Sequence, residues 1–115
     1  MTTGFEVRER SHGTAHVLTL TGELDLASGG VLAEAIARAC ADGAQSLVLD
    51  IRALEFIDST GLRELVAGRA LCDEHGCLFQ ITEGRPRVER VFEVAGLLDF
   101  FAPCRTEGDR ADQVA

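Results

Sequence analysis

The chain has no tryptophan, no tyrosine and no lysine, and only two prolines. Without lysine there is no Schiff-base amine and no phosphate-loop lysine, which sets aside two broad classes of chemistry. Six phenylalanines are the only aromatic residues, so a core has to be assembled mainly from Leu, Val, Ile and Ala. Positive charge is scarce too: 11 arginines face 19 acidic residues, for a net charge of -8. A basic face that could neutralise phosphates is missing, so nucleic acid is not expected as a partner. No apolar run approaches the roughly 20 residues that cross a bilayer. The start Met1-Thr2-Thr3-Gly4-Phe5-Glu6 also lacks a basic, apolar signal segment. A cytoplasmic protein with no direct membrane insertion is expected, its Cys40, Cys72, Cys77 and Cys104 reduced. Only Cys72 and Cys77 lie close in sequence, and His12, His16 and His75 supply no zinc-finger pair, so no metal site is expected. Nothing in the chain calls for a cofactor.

What is present is a 46% hydrophobic chain of 115 residues, enough for one core and one domain over residues 1–115. Alternation in Phe5 to Glu9 predicts a half-buried strand, Ser11-His12-Gly13-Thr14 a turn, and Val17 to Thr21 the second arm of a hairpin. Gly22-Glu23-Leu24-Asp25 reads as the loop that follows, and Ser28 as the N-cap of a helix carrying Val31, Leu32, Ala35, Ile36 and Ala39 at helical spacing up to Asp42-Gly43. Leu47 to Ile51 is short and nearly all apolar, as in a strand covered on both faces. A loop from Arg52 to Asp58 leads into a second helix with its stripe on Leu62, Leu65, Val66, Arg69 and Ala70. Then come a strand at Cys77 to Ile81, a third helix from Pro86 with Val88, Val91, Phe92 and Val94-Ala95 inward, and a last edge strand at Leu98 to Phe101. Residues 106–115 read as a frayed tail or a short weak helix. The order β-β-α-β-α-β-α-β implies an α/β fold with a mixed sheet of four to five strands, an antiparallel N-terminal edge and a parallel core.

Loops at the carboxyl ends of such strands gather on one rim. Gly22-Glu23-Leu24-Asp25 and Asp58-Ser59-Thr60-Gly61 would then be neighbours, forming one acidic, hydroxyl-bearing surface. Three readings of Asp58-Ser59-Thr60 stay open at this level. It can be a helix cap stabilising by about 1 kcal/mol, with Gly61 packed closely on the sheet. It can be a phosphate acceptor, because an anion is tolerated at a helix N-terminus while adding about -1.5 to -2 charges to any docked surface. A nucleophile would need a base, and the histidines belong to the hairpin and the far end of the second helix, so an enzyme is not expected.

Leu20-Thr21-Gly22-Glu23-Leu24-Asp25 and Leu54 through Leu62, together with Gly68-Arg69 and Val88 through Leu97, resemble the anti-sigma factor antagonists, stand-alone bacterial members of the STAS domain family. The likeness runs over about residues 5–103 in order and spacing. It implies helices packed mainly on one face of the sheet. It also implies a partner switch, in which the unphosphorylated protein binds an anti-sigma factor serine kinase and frees a sigma factor. Phosphorylation maps onto Ser59, with Thr60 as the alternative, and a PP2C-type serine phosphatase restores binding. Gly22, Glu23, Asp25, Asp58, Thr60, Gly61, Leu62 and Arg63 map to the partner-binding surface. Arg63 and Glu64 stand where close relatives often carry small or apolar residues, and Arg63 is one helical turn beyond Ser59. STAS-like domains also serve as non-phosphorylated structural subunits of larger assemblies such as lipid-transport or signalling complexes, which is the alternative.

Overall fold

In the computed structural model, which describes residues 4–28 and 30–113, one mixed sheet organises the whole chain. Strands β1 (Glu6–His12) and β2 (Ala15–Leu24) form the antiparallel hairpin, turning at Gly13 with φ of 62°. β3 (Ser46–Asp50), β4 (Leu54–Ile57), β5 (Leu78–Thr82) and β6 (Arg105–Thr106) all run parallel to β2 or to its neighbours. The lateral order is β1-β2-β3-β5-β6, with β4 on β2. β2 therefore pairs with three strands. Its first half meets β3 from Ala15 to Thr19, and its last residues, Gly22 to Leu24, meet β4.

Helices α1 (Val31–Ala41) and α2 (Ser59–Glu74) lie together on one face, followed by α3 (Pro86–Val94) and the single turn α4 (Leu98–Phe101). α1 buries Leu32, Ala35, Ile36, Ala39 and Cys40, the positions that its 3.6-residue period selects. α2 buries Gly61, Leu62, Leu65, Gly68 and Cys72. A Cβ at Gly68 would come within 2.6 Å of Ile36 Cδ1, so this glycine lets the two helices close on each other. In the absence of larger aromatics, Phe101 fills the far end of the core between Phe92 at 5.3 Å and Phe79 at 6.4 Å, ring centre to ring centre. The four cysteines are free and buried.

The α/β class, the antiparallel N-terminal edge and the parallel core are as the sequence predicts, while the sheet has six strands. β6 at Arg105–Thr106 takes the edge place expected for Leu98 to Phe101, and the added strand is β4, in the segment expected to be a loop. Its burial runs buried, exposed, exposed, buried, because the register against β2 slips between Gly22 and Glu23 and leaves Glu55 as an extra residue. Neither alternation nor a continuous apolar run survives such a bulge. Gly22 to Leu24 are correspondingly the end of β2 and not a loop.

Leu98 to Phe101 is a helical turn instead of an edge strand: only Phe101 is buried, so Leu98, Phe100 and Phe101 do not share one face. Val94 and Ala95 point outward, and the buried stripe of α2 runs through Gly68 and Cys72 instead of Arg69 and Ala70. Ser28 belongs to a 3-10 turn at Leu26–Ser28 and does not cap α1, whose N-cap is Gly30. Within the segment expected as a tail, α5 (Gly108–Asp112) packs on the opposite face of the sheet, where Ala111 joins Val17 and Val48. Residues 114–115 of that segment lie outside the described residues.

Candidate functional site

The carboxyl ends of β2 and β4 lie side by side, with Leu24 level with Ile57, and everything beyond them is built on that pairing. Asp58 N–H donates to the Leu24 carbonyl at 3.3 Å. Asp58 has extended backbone angles, φ -120° and ψ -172°, and its Oδ1 accepts the Gly61 N–H at 2.9 Å, so it is the N-cap of α2. A Cβ at Gly61 would stand 2.3 Å from the Leu24 carbonyl oxygen, and no larger residue fits between the helix start and β2. The cap role thus falls to Asp58 alone. Ser59, the first helical residue, is left exposed with its hydroxyl uncommitted to the cap, and Thr60 is half-buried.

Across the gap, the chain leaves β2 through a tight turn. Asp25 Oδ1 accepts the Ala27 N–H at 2.9 Å, Asp25 N–H donates to Ser28 Oγ at 3.0 Å, and the Ser28 hydroxyl donates to the Glu23 carbonyl at 2.9 Å. This clasp lifts Leu26 to the tip of the turn, 78% exposed, with Val31 at 44% and Phe56 of β4 at 39%. Leu26 was not singled out from sequence, because a residue outside either period carries no signal of its orientation, and Val31, expected in the apolar stripe of the first helix, is exposed instead of inward.

Of the residues expected at this surface, Gly22, Gly61 and Leu62 are buried and shape it from beneath. Gly22 holds φ of 87°, and a Cβ there would meet the Gly4 carbonyl oxygen at 2.3 Å. Glu23, Asp25, Asp58 and Thr60 are half-exposed, and Ser59 and Arg63 are exposed. Glu64, one turn into α2, holds Oε1 buried without a hydrogen-bond partner. Burial pushes its carboxyl above the ordinary value, and the charges of Asp58 and then Asp25 push it the same way. Among the described residues, no ion pair falls on Asp25, Asp58, Arg63 or Glu64. No group of three or more His, Cys, Asp or Glu among them is placed to hold a metal ion.

A second corner occupies the same rim at the ends of β3, β5 and β6. Asp50 is held by Arg52 through Nε at 2.9 Å and the terminal nitrogen at 2.8 Å, and the same nitrogen reaches Asp112 of α5 at 2.7 Å. Arg105 donates to Glu89 at 2.6 Å and to the Thr82 carbonyl at 2.7 Å. Burial works against the charge of Asp50, but the Arg52 guanidinium outweighs it and holds the carboxyl below its ordinary value.

Comparison with known proteins agrees with this fold. The family model described as "Mlab, STAS domain" matches residues 7–102. The anti-sigma-F factor antagonist RsfB of Mycobacterium tuberculosis, from two strains, is 43% identical over 56 residues, covering 49% of this chain and 46% of RsfB. The match therefore spans about half the length of these curated relatives. The crystal structure of an anti-sigma factor antagonist from Mycobacterium paratuberculosis superimposes with a TM-score of 0.79 at 28% identity, over 96% of this chain and 93% of that one. SpoIIAA of Bacillus in its phosphorylated form shares the fold, with a TM-score of 0.68 at 20% identity over 95% and 96% of the two chains.

Proposed function

The chain belongs to the STAS domain family, and from that premise we propose that it is an anti-sigma factor antagonist, a binding protein switched by phosphate on Ser59. The unphosphorylated form binds an anti-sigma factor that is itself a serine kinase and so releases a sigma factor; phosphorylation ends the complex, and a PP2C-type phosphatase resets it. The observation that carries this reading is the exposed Ser59 hydroxyl at the first position of α2, with the capping task taken by Asp58 and with Leu26, Phe56 and Val31 exposed around the ends of β2 and β4. An apolar surface of this kind docks a partner. A dianion introduced beside it opposes docking, while the helix start tolerates the charge within the fold. No helix among the described residues is long and apolar enough to cross a membrane.

The test is isolation of the protein with its bound partners from its own cells, followed by phosphate mapping by mass spectrometry. A small ATP-binding kinase bound to the unphosphorylated form, and phosphate on Ser59, are expected. Recovery of a membrane transporter instead would overturn this reading in favour of a structural subunit.

A further inference from the structure

The two adjacent hydroxyls at the head of α2 differ in what lies one helical turn behind them. Residues four apart share a helix face, so Ser59 is followed by Arg63 and Thr60 by Glu64. Ser59 and Arg63 are both exposed, whereas Thr60 and Glu64 are both half-buried. On the Thr60 side, Glu64 Oε1 is already buried without a donor. The charges that bear on it are further carboxylates, Asp58 from the cap and Asp25 from the end of β2.

We propose that Glu64, reinforced by Asp25, makes Thr60 unfit to carry an anion and thereby restricts the phosphate to Ser59. This rests on the reading that the corner is phosphorylated at all. In the transfer, the acceptor O–H bond breaks and an O–P bond forms at the γ-phosphorus of a nucleoside triphosphate. The nucleoside diphosphate leaves, and the hydroxyl proton passes to a base of the kinase. At Ser59 the new dianion extends into solvent on the side of a guanidinium. At Thr60 it would enter a half-buried site facing one unpartnered carboxyl, with two more carboxylates around it. Glu64 is in this sense a specificity-determining residue that touches neither nucleotide nor phosphorus.

The test uses the full chain with genetically encoded phosphoserine at position 59 or phosphothreonine at position 60, each titrated by phosphorus NMR with and without Glu64→Gln. The phosphothreonine is expected to titrate about half a unit or more above the phosphoserine, because nearby like charges disfavour its dianion. Glu64→Gln is expected to remove most of that gap and leave the phosphoserine midpoint in place. Equal midpoints, or a gap that survives Glu64→Gln, would overturn the proposal. Thermal unfolding supplies a second readout that avoids phosphate. An acid in the first helical turn ordinarily stabilises, so a lower midpoint for Thr60→Asp than for Ser59→Asp, restored by Glu64→Gln, is the expected and diagnostic result. Thr60→Asp at or above Ser59→Asp counts against it. Neither measurement involves a kinase, so finding no phosphate on Ser59 in cells would sink the switch while leaving this comparison to be decided on its own.

Discussion

The two corners of the rim are built from the same materials and treat charge in opposite ways. At the ends of β3, β5 and β6, Asp50, Asp112 and Glu89 each meet a guanidinium within 2.8 Å. At the ends of β2 and β4, Asp25, Asp58 and Glu64 meet none among the described residues, and apolar Leu26 and Phe56 are exposed there. A buried carboxylate whose partner lies two residues on in the chain, as Arg52 does from Asp50, serves the fold. Asp58 and Asp25 accept hydrogen bonds within their own turns, from the Gly61 and Ala27 N–H groups, and meet no counter-charge among the described residues. On one rim, the presence or absence of a counter-charge separates the paired corner from the corner proposed for docking better than position on the strands does.

The strongest way to break this contrast is to add charge at the open corner. Ser59→Asp is expected to fold with no loss of stability while weakening binding to the anti-sigma kinase about a thousandfold, a loss of about 4 kcal/mol read by calorimetry. Equal binding by the two forms would show that charge does not operate the switch. Gly61→Ala asks whether the open corner is loosely built. With 2.3 Å available beside the Leu24 carbonyl oxygen, a loss of about 3 kcal/mol in urea unfolding followed by circular dichroism is expected. Arg52→Ala removes the ion pair of the buried Asp50, which keeps the backbone N–H of residue 52 and the charge of Arg10. About 2 kcal/mol of stability should go with it, since half of the pair was exposed, with kinase binding retained.

The smallest effect is in acid, where the corners should respond with opposite signs. Asp50 has a folded value below its unfolded one near 3.9, so its contribution is present above that pH and is lost as the pH falls through the lower folded value. Glu64 is raised in the fold, so its cost is felt above the folded value and relieved as the pH drops through it toward the unfolded value near 4.3. Glu64→Gln should therefore remove a gain in stability in mild acid, and Arg52→Ala should mute the loss in stronger acid. Superimposable pH profiles for the wild type and both variants would erase the distinction between the corners.

How much of this was legible beforehand depended on whether a residue announces itself through periodicity. The hairpin, α1, β3, β5 and α3 follow regular spacing, and Asp58-Ser59-Thr60-Gly61 followed by an apolar stripe marks a helix start without reference to any fold. β4 was hidden because a bulge spoils its two-residue period, and α4 because Leu98, Phe100 and Phe101 around Asp99 suggest a strand even though only Phe101 is buried. Within the site, the acidic and hydroxyl residues were readable, as was the close approach at Gly61. The exposure of Leu26 was not, because it follows from the Asp25–Ser28 clasp, a tertiary outcome of where β2 ends. The missing donor at Glu64 is likewise a property of the packed neighbourhood, invisible to a one-dimensional reading.

The three-way pairing of β2 bears on how the corner moves. The stretch that supports Ser59 hangs from the same strand that β1 and β3 depend on. Freeing the head of α2 would mean parting Leu24 from Ile57, and that strain passes directly into the middle of the sheet. Amide hydrogens at Asp58, Gly61 and Leu62 should then exchange only when the whole domain opens, on the timescale of global unfolding and not of a loop. A partner of the proposed kind would then meet a surface held by the sheet and spend little of its binding energy on ordering it. The proposed switch would be one of charge on a stationary support, fast to reset because nothing would have to refold.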